Sequence, residues 1–179
     1  MLDRGVHTDR RLDAREVVVQ AVSLPADDPA ALMSETCRNG LRYWRSLGSD
    51  LPDRRAVDPA AMRGLLPYTF LVDVLAGGSD FRYRLIGTNI VAHTPSDNTG
   101  RLLSEIAVQG TQRQLSALYA SVAEGRRARF QRIAYRTRLG LRSWYETVVC
   151  PLADGEAGSA VDRLIGWAEH FHQPVDATG

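Results

Sequence analysis

From Phe81 to Ile106 the chain changes character every few residues, and that rhythm limits what it can build. Phe81, Tyr83 and Leu85 alternate with Arg82 and Arg84, the period-two pattern of a strand with one buried face. Gly87 stops the strand. Short apolar pieces follow, Ile90 with Val91 and then Leu102, Leu103 and Ile106, split by a polar break over 95–98 and too brief for long helices. A strand, a glycine and a pair of broken helical turns wall a small cavity better than they frame a catalytic centre.

The flanking segments supply the rest of a sheet. The run 68–75 is apolar on both sides apart from Asp73, which predicts a central strand. Gly77-Gly78-Ser79-Asp80 is a hairpin signal, so the two strands pair antiparallel. Thr111 and Gln114 form a capping-box pattern ahead of Leu115, Leu118, Tyr119 and Val122, predicting one long helix that Gly125 closes. Three further strands are expected at about 128–137, 143–152 and 161–171, with turns at Gly140 and at Asp154-Gly155 with Gly158. Trp144, Val148 and Leu152 share one side of their strand while Tyr145 and Val149 share the other, so both sheet faces should be covered.

Upstream, Asp27 or Asp28 before Pro29 marks a helix start. Met33, Cys37, Leu41 and Trp44 then recur at helical spacing as far as about Leu47, with Gly40 a local weakness and Gly48 the stop. Asp58-Pro59 opens a second, short helix ending near Gly64. The β-branched run 17–24 reads as an extra strand or an extended arm. The expected architecture is α+β: a five-stranded antiparallel sheet with a helical belt on one face and an N-terminal helix covering the other face or a dimer interface. By segment, 1–27 is a partly disordered arm, 28–64 a helical cap, 65–172 the main domain and 173–179 a flexible tail.

Charge and composition narrow the function classes. Twenty-two basic residues against 21 acidic ones leave a net charge of +1, so no bulk field draws the chain to nucleic acid or membrane. No apolar run approaches the ~20 residues of a membrane span, and 1–15 lacks the apolar core of a signal peptide, so the cytoplasm is the expected compartment. Cys37 and Cys150 stand alone, which fits reduced, buried thiols. Every basic residue is arginine; without lysine, Schiff-base chemistry, pyridoxal attachment and a phosphate-loop lysine are ruled out.

The element order of two strands, a helical belt, one helix and three strands resembles the PAS domain. Gly87 and Thr99-Gly100-Arg101 look like that family's glycine after the second strand and its later turn. The match is closer to a bacterial subfamily of short, stand-alone PAS-like chains of unknown function in α-proteobacteria. Its pattern is carried by Tyr43-Trp44, Leu51-Pro52, Asp58-Pro59, Leu65-Leu66-Pro67, Phe70-Leu71-Val72-Asp73-Val74, the 81–88 strand, and Cys150-Pro151-Leu152 with Asp154-Gly155. The chain departs from it at His93-Thr94-Pro95, where relatives often carry a glycine and where proline removes a backbone donor. The resemblance implies that 65–172 is the PAS-like domain and that Tyr83, Leu85, Ile90, His93, Leu103, Leu115 and Tyr119 surround any ligand pocket. Relatives bind haem, flavin, small metabolites or nothing, and many form dimers. No ligand carries over residue by residue.

Other constellations are thinner. His170 and His172 share one face of a strand, and a turn centred near Ala157 brings Glu146 close to Ala168 and His170, giving a candidate metal trio. Solvated histidines at a strand end are the plainer reading. Haem and flavin are not supported: His93 is the one belt histidine, no C-x-x-C-H motif occurs, and neither cysteine suits flavin photochemistry. Arginines crowd 126–142, with Arg132, Arg136 and Arg138 sharing strand parity, yet no recognition-helix motif accompanies them, so a salt-bridged face is expected rather than a nucleic-acid surface. No nucleophile elbow, zinc-helix motif or catalytic cysteine is present. The chain therefore reads as a non-catalytic sensory or regulatory module that binds a small ligand or an unidentified protein partner. It is expected as a homodimer through Leu41, Tyr43 and Trp44. The alternatives are a small enzyme with an internal pocket and an adaptor with a filled core.

Overall fold

The computed structural model describes residues 17–24, 28–94, 96–106, 109–136, 142–154 and 160–172. The expected lead-in 1–16, the tail 173–179, Pro95, Arg138 and the tips of the last two strand connections lie outside them. Six strands form one antiparallel sheet: β1 (Val17–Leu24), β2 (Thr69–Leu75), β3 (Asp80–Ile86), β4 (Arg129–Arg136), β5 (Arg142–Ala153) and β6 (Val161–His172), in the order β1-β4-β5-β6-β2-β3. The architecture is the expected α+β one with one strand more than expected. The extra strand is 17–24, which pairs along β4 and covers an edge that would otherwise be open.

Helix α1 (Glu35–Ser46) lies on the outer face of the sheet, against β5 and β6. It starts later than the apolar spacing suggests. Asp28 caps only a 3-10 turn over Pro29–Ala31, and Ser34 makes the true cap, its Oγ accepting from the Cys37 N–H at 2.9 Å. Met33 therefore stands before the helix and is exposed. Leu41 and Trp44 are buried, and the Trp44 indole donates to Pro151 O at 2.9 Å. Gly48, at φ +80, takes the left-handed position after the helix. The expected short helix after Asp58-Pro59 is instead a series of turns over 59–65, because its few backbone bonds, Met62 N–H to Pro59 O and then Leu65 and Leu66 N–H to Met62 O, do not form a continuous helical ladder.

Two bulges set which side chains face which layer. Between β2 and β3, Leu71 pairs with Leu85 but Val72 with Tyr83, so Arg84 is the extra residue. Phe81 and Tyr83 point inward as the alternation predicts; past Arg84 the parity flips, Leu85 turns out and Ile86 turns in. Between β5 and β6, the pairing shifts at Leu152/Ala153 and leaves Asp162 as the extra residue. The inner face, with Phe70, Tyr83, Tyr145, Val149 and Ala168, packs under helix α2 (Thr88–Val91), the 3-10 turn Leu103–Glu105 and helix α3 (Gln109–Gly125). The outer face, with Phe130, Val148, Cys150, Ile165 and Trp167, packs under α1. Both faces are covered, as the two-sided apolar pattern of β5 requires.

Candidate functional site: a cavity under the helical belt

Gly87 ends β3 in close contact with the preceding turn: a Cβ there would lie 2.3 Å from Pro67 O. Any other residue would push the belt away from β2. The belt returns through Thr99-Gly100-Arg101, where Gly100 adopts φ +86 and donates its N–H to Tyr83 O at 2.7 Å, while Tyr83 N–H donates to Arg101 O at 3.1 Å. Tied to β3 at both ends, the belt arches over the sheet and leaves a cavity of about 120 Å³ between itself, α3 and the inner face.

Aromatic rings build one end. Tyr119 of α3 packs edge-on against Phe81 (5.4 Å between centroids) and Tyr83 (6.3 Å), and the two tyrosine hydroxyls lie 2.9 Å apart. Burial pushes the Tyr83 phenol up to about 12, and burial with the neighbouring Tyr83 raises that of Tyr119. Neither is a useful base near neutral pH. At the other end His93 of the belt and His170 of β6 stack face to face, 4.5 Å between centroids and 3° from parallel, with Tyr145 4.9 Å from His170. His93 Nδ1 lies 2.7 Å from Asn89 O; a carbonyl only accepts, so that nitrogen carries the proton.

Two lining groups are not satisfied by the protein. The hydroxyls of Thr111, in the first turns of α3, and of Thr147, on β5, are buried and have no hydrogen-bond partner. An orphaned buried hydroxyl costs about 1–3 kcal/mol, so two in one cavity mark a place where something polar belongs. Thr111 also corrects the expected capping box: α3 begins at Gln109, which puts Thr111 and Gln114 inside the helix, with the Thr111 hydroxyl and the Gln114 Oε1 unpartnered.

Of the residues expected around a pocket, Tyr83, Ile90, His93, Leu115 and Tyr119 line this cavity. Leu85 does not, because the Arg84 bulge turns it outward to 37% exposure; Leu103 does not, because it is wholly buried in the core beside it. The metal trio is not brought together. Beyond the bulge at Asp162, Glu146 pairs with Glu169 and Tyr145 with His170, so Glu146 and His170 lie on opposite faces. Nothing is described of the His172 side chain, and no cluster of three metal-binding side chains occurs among the described residues. Glu146 has a different task. Wholly buried, it accepts from Ser34 N–H at 2.7 Å and pairs with Arg132, whose guanidinium also lies over Trp144. Ser34 Oγ donates to Glu169 at 2.6 Å. Leu41 and Trp44 are buried against the chain's own sheet, and Tyr43 sets its ring edge-on to Trp167 and accepts from Asp58 N–H at 2.7 Å.

Thr147, Ile86, Phe70, Tyr145 and His170 also line the cavity and were not assigned to it from sequence. Thr147 had a readable signal, a polar residue between Tyr145 and Val149 on an apolar strand face. A wider groove of about 750 Å³ runs past Arg45, Arg126 and Arg127. Those arginines stand at the C-terminal ends of α1 and α3, where the helix dipoles favour cations in any protein. Among the described residues no helix is long and apolar enough to cross a membrane.

A family model described as PAS domain matches residues 32–168. No curated protein and no solved structure matches the chain.

Proposed function

The chain belongs to the PAS domain family, and from that membership we propose that it is a non-catalytic sensory or regulatory module whose small-molecule ligand sits beneath the helical belt. One observation carries the reading: two buried, unpartnered hydroxyls, Thr111 and Thr147, in a cavity that the surrounding aromatic side chains leave open. A filled-core adaptor would have no reason to strand them. The belt is the part that responds, since it carries His93 and Ile90 into the cavity and is held to β3 by the backbone bonds at Gly100 and Tyr83. The signal then leaves through contact with a protein partner or a second copy of the chain.

The enzyme alternative has one observation in its favour, the meeting of His93, His170 and Tyr145 at one end of the cavity. The tyrosine pair at the other end argues against it, because burial moves both phenols away from catalytic range. Native mass spectrometry of protein purified from its own host tests the sensor reading. A bound small molecule that is lost on substituting Thr147→Val supports it. A bare mass, together with a Thr147→Val variant that is more stable than wild type under every condition, overturns it.

A further inference from the structure

We propose that the ligand is an uncharged, single-ring molecule of about six heavy atoms with hydrogen-bonding atoms on two sides; this rests on reading the belt cavity as a ligand site. Size comes first. At about 120 Å³ the cavity is somewhat smaller than the ~150 Å³ apolar cavity that holds one benzene, and far below the ~300–1,000 Å³ of sites for drug-sized ligands. Haem and flavin do not fit it. A single ring does.

Charge comes second. Among the described residues lining the cavity there is no aspartate, glutamate or arginine. Glu146 and its Arg132 partner are on the opposite face of the sheet, with the Glu146 carboxylate held by Ser34 at the start of α1. A charged ligand would lose its hydration with no fixed counter-charge to replace it, which costs several kcal/mol for a buried ion. The two lining imidazoles, His93 and His170, cover one face of each other in a stack with 4.5 Å between centroids.

Shape and polarity complete the class. Phe70, Tyr83, Tyr119 and Tyr145 present ring faces and edges from three strands and a helix, which suits a flat molecule packed edge-to-face or offset. The Thr111 and Thr147 hydroxyls enter from α3 and from β5, two different walls, and each can donate or accept. A ring with polar atoms at two positions satisfies both. A plain hydrocarbon satisfies neither.

The test uses the full chain and a small panel of probes read by protein-observed NMR and thermal shift: phenol, 2-pyridone, toluene, benzoate and benzylammonium. The expected result is that phenol and 2-pyridone raise Tm and shift resonances of cavity residues, with 2-pyridone the tighter. Thr147→Val should weaken 2-pyridone about tenfold and leave toluene unaffected. Ala168→Leu, which fills the cavity, should abolish all binding; if that variant does not fold, Ile90→Phe from the belt serves instead. Preferential binding of benzoate or benzylammonium that Ala168→Leu abolishes overturns the ligand class and leaves the sensor reading standing. Failure of every probe overturns the class as well, and the sensor reading falls with it only if native mass spectrometry also returns a bare chain.

Discussion

At the scale of single residues, the close contacts are made by glycines. An ideal Cβ on Gly40 would lie 2.2 Å from the Trp167 ring, and one on Gly166 would lie 2.2 Å from Phe70. Helix propensity alone says that Gly40→Ala should stabilise α1 by about 1 kcal/mol. Overpacking against a buried indole costs about 1–3 kcal/mol and more where a ring has no room to shift, so the packing term wins. Gly40→Ala should therefore lower stability by about 1–2 kcal/mol in urea unfolding; a stabilised variant would show that α1 is not seated on Trp167. The Arg132–Glu146 pair gives a second prediction, set by which charge is left behind. Glu146 is wholly buried and Arg132 about one-third exposed. Arg132→Ala strands the buried carboxylate and should cost about 3–5 kcal/mol, whereas Glu146→Gln keeps an acceptor for Ser34 N–H and should cost about half as much or less. Equal losses would show that leaving the Glu146 carboxyl without its arginine partner carries no extra cost.

At the scale of elements, β1 matters for what it hides. It pairs along β4 over most of that strand's length, and Leu24 packs on the outer-face core near Phe130. Deleting residues up to Leu24 should expose the β4 edge and produce concentration-dependent association in light scattering, with a lower Tm. A variant that stays monomeric and equally stable would mark β1 as an accessory. The outer-face layer also explains the thiols. Cys37 of α1 and Cys150 of β5 are both free and buried. Burial is the main cause that pushes Cys37 up to about 12, with the Glu146 and Glu169 carboxylates adding to it, and burial raises Cys150 as well. Neither thiol should react with iodoacetamide at pH 8 until urea unfolds the chain.

For the whole molecule, those same groups define an alkaline limit. The folded pKa of Cys37, about 12, stands above its ordinary 9.0, and that of Tyr83, also about 12, stands above 10.0. A raised pKa means that the unfolded chain releases its proton first. Each contribution is thus complete below the ordinary value and is lost as pH climbs from about 9 through about 12, on the order of a few kcal/mol together. Urea midpoints should be flat from neutral pH to about pH 9 and then fall. A midpoint that holds steady to pH 11 would contradict the burial of both groups. Cutting against this stability is the cavity itself, where the Thr111 and Thr147 hydroxyls lack partners. Sites of function are where a chain tolerates such a cost.

Much of this was legible in the sequence because it is local. Alternation over Phe81–Tyr83, the apolar spacing of Cys37, Leu41 and Trp44, the hairpin glycines and the two-sided pattern of β5 are properties of a few neighbouring residues, and they determined the α+β order, the belt and the covered sheet. The five expected residues that line the cavity, Tyr83, Ile90, His93, Leu115 and Tyr119, sit on that local pattern. What only the tertiary structure decided depends on pairing between distant strands. One extra residue at Arg84 turned Leu85 out and Ile86 in, and one at Asp162 put Glu146 and His170 on opposite faces. A side chain's face has period two, so a single unpaired residue reverses every later assignment, and no pattern within one strand reveals it. The cavity is less local still. It is the volume left after the sheet, the belt and α3 have packed, and it exists only once all of them are in place.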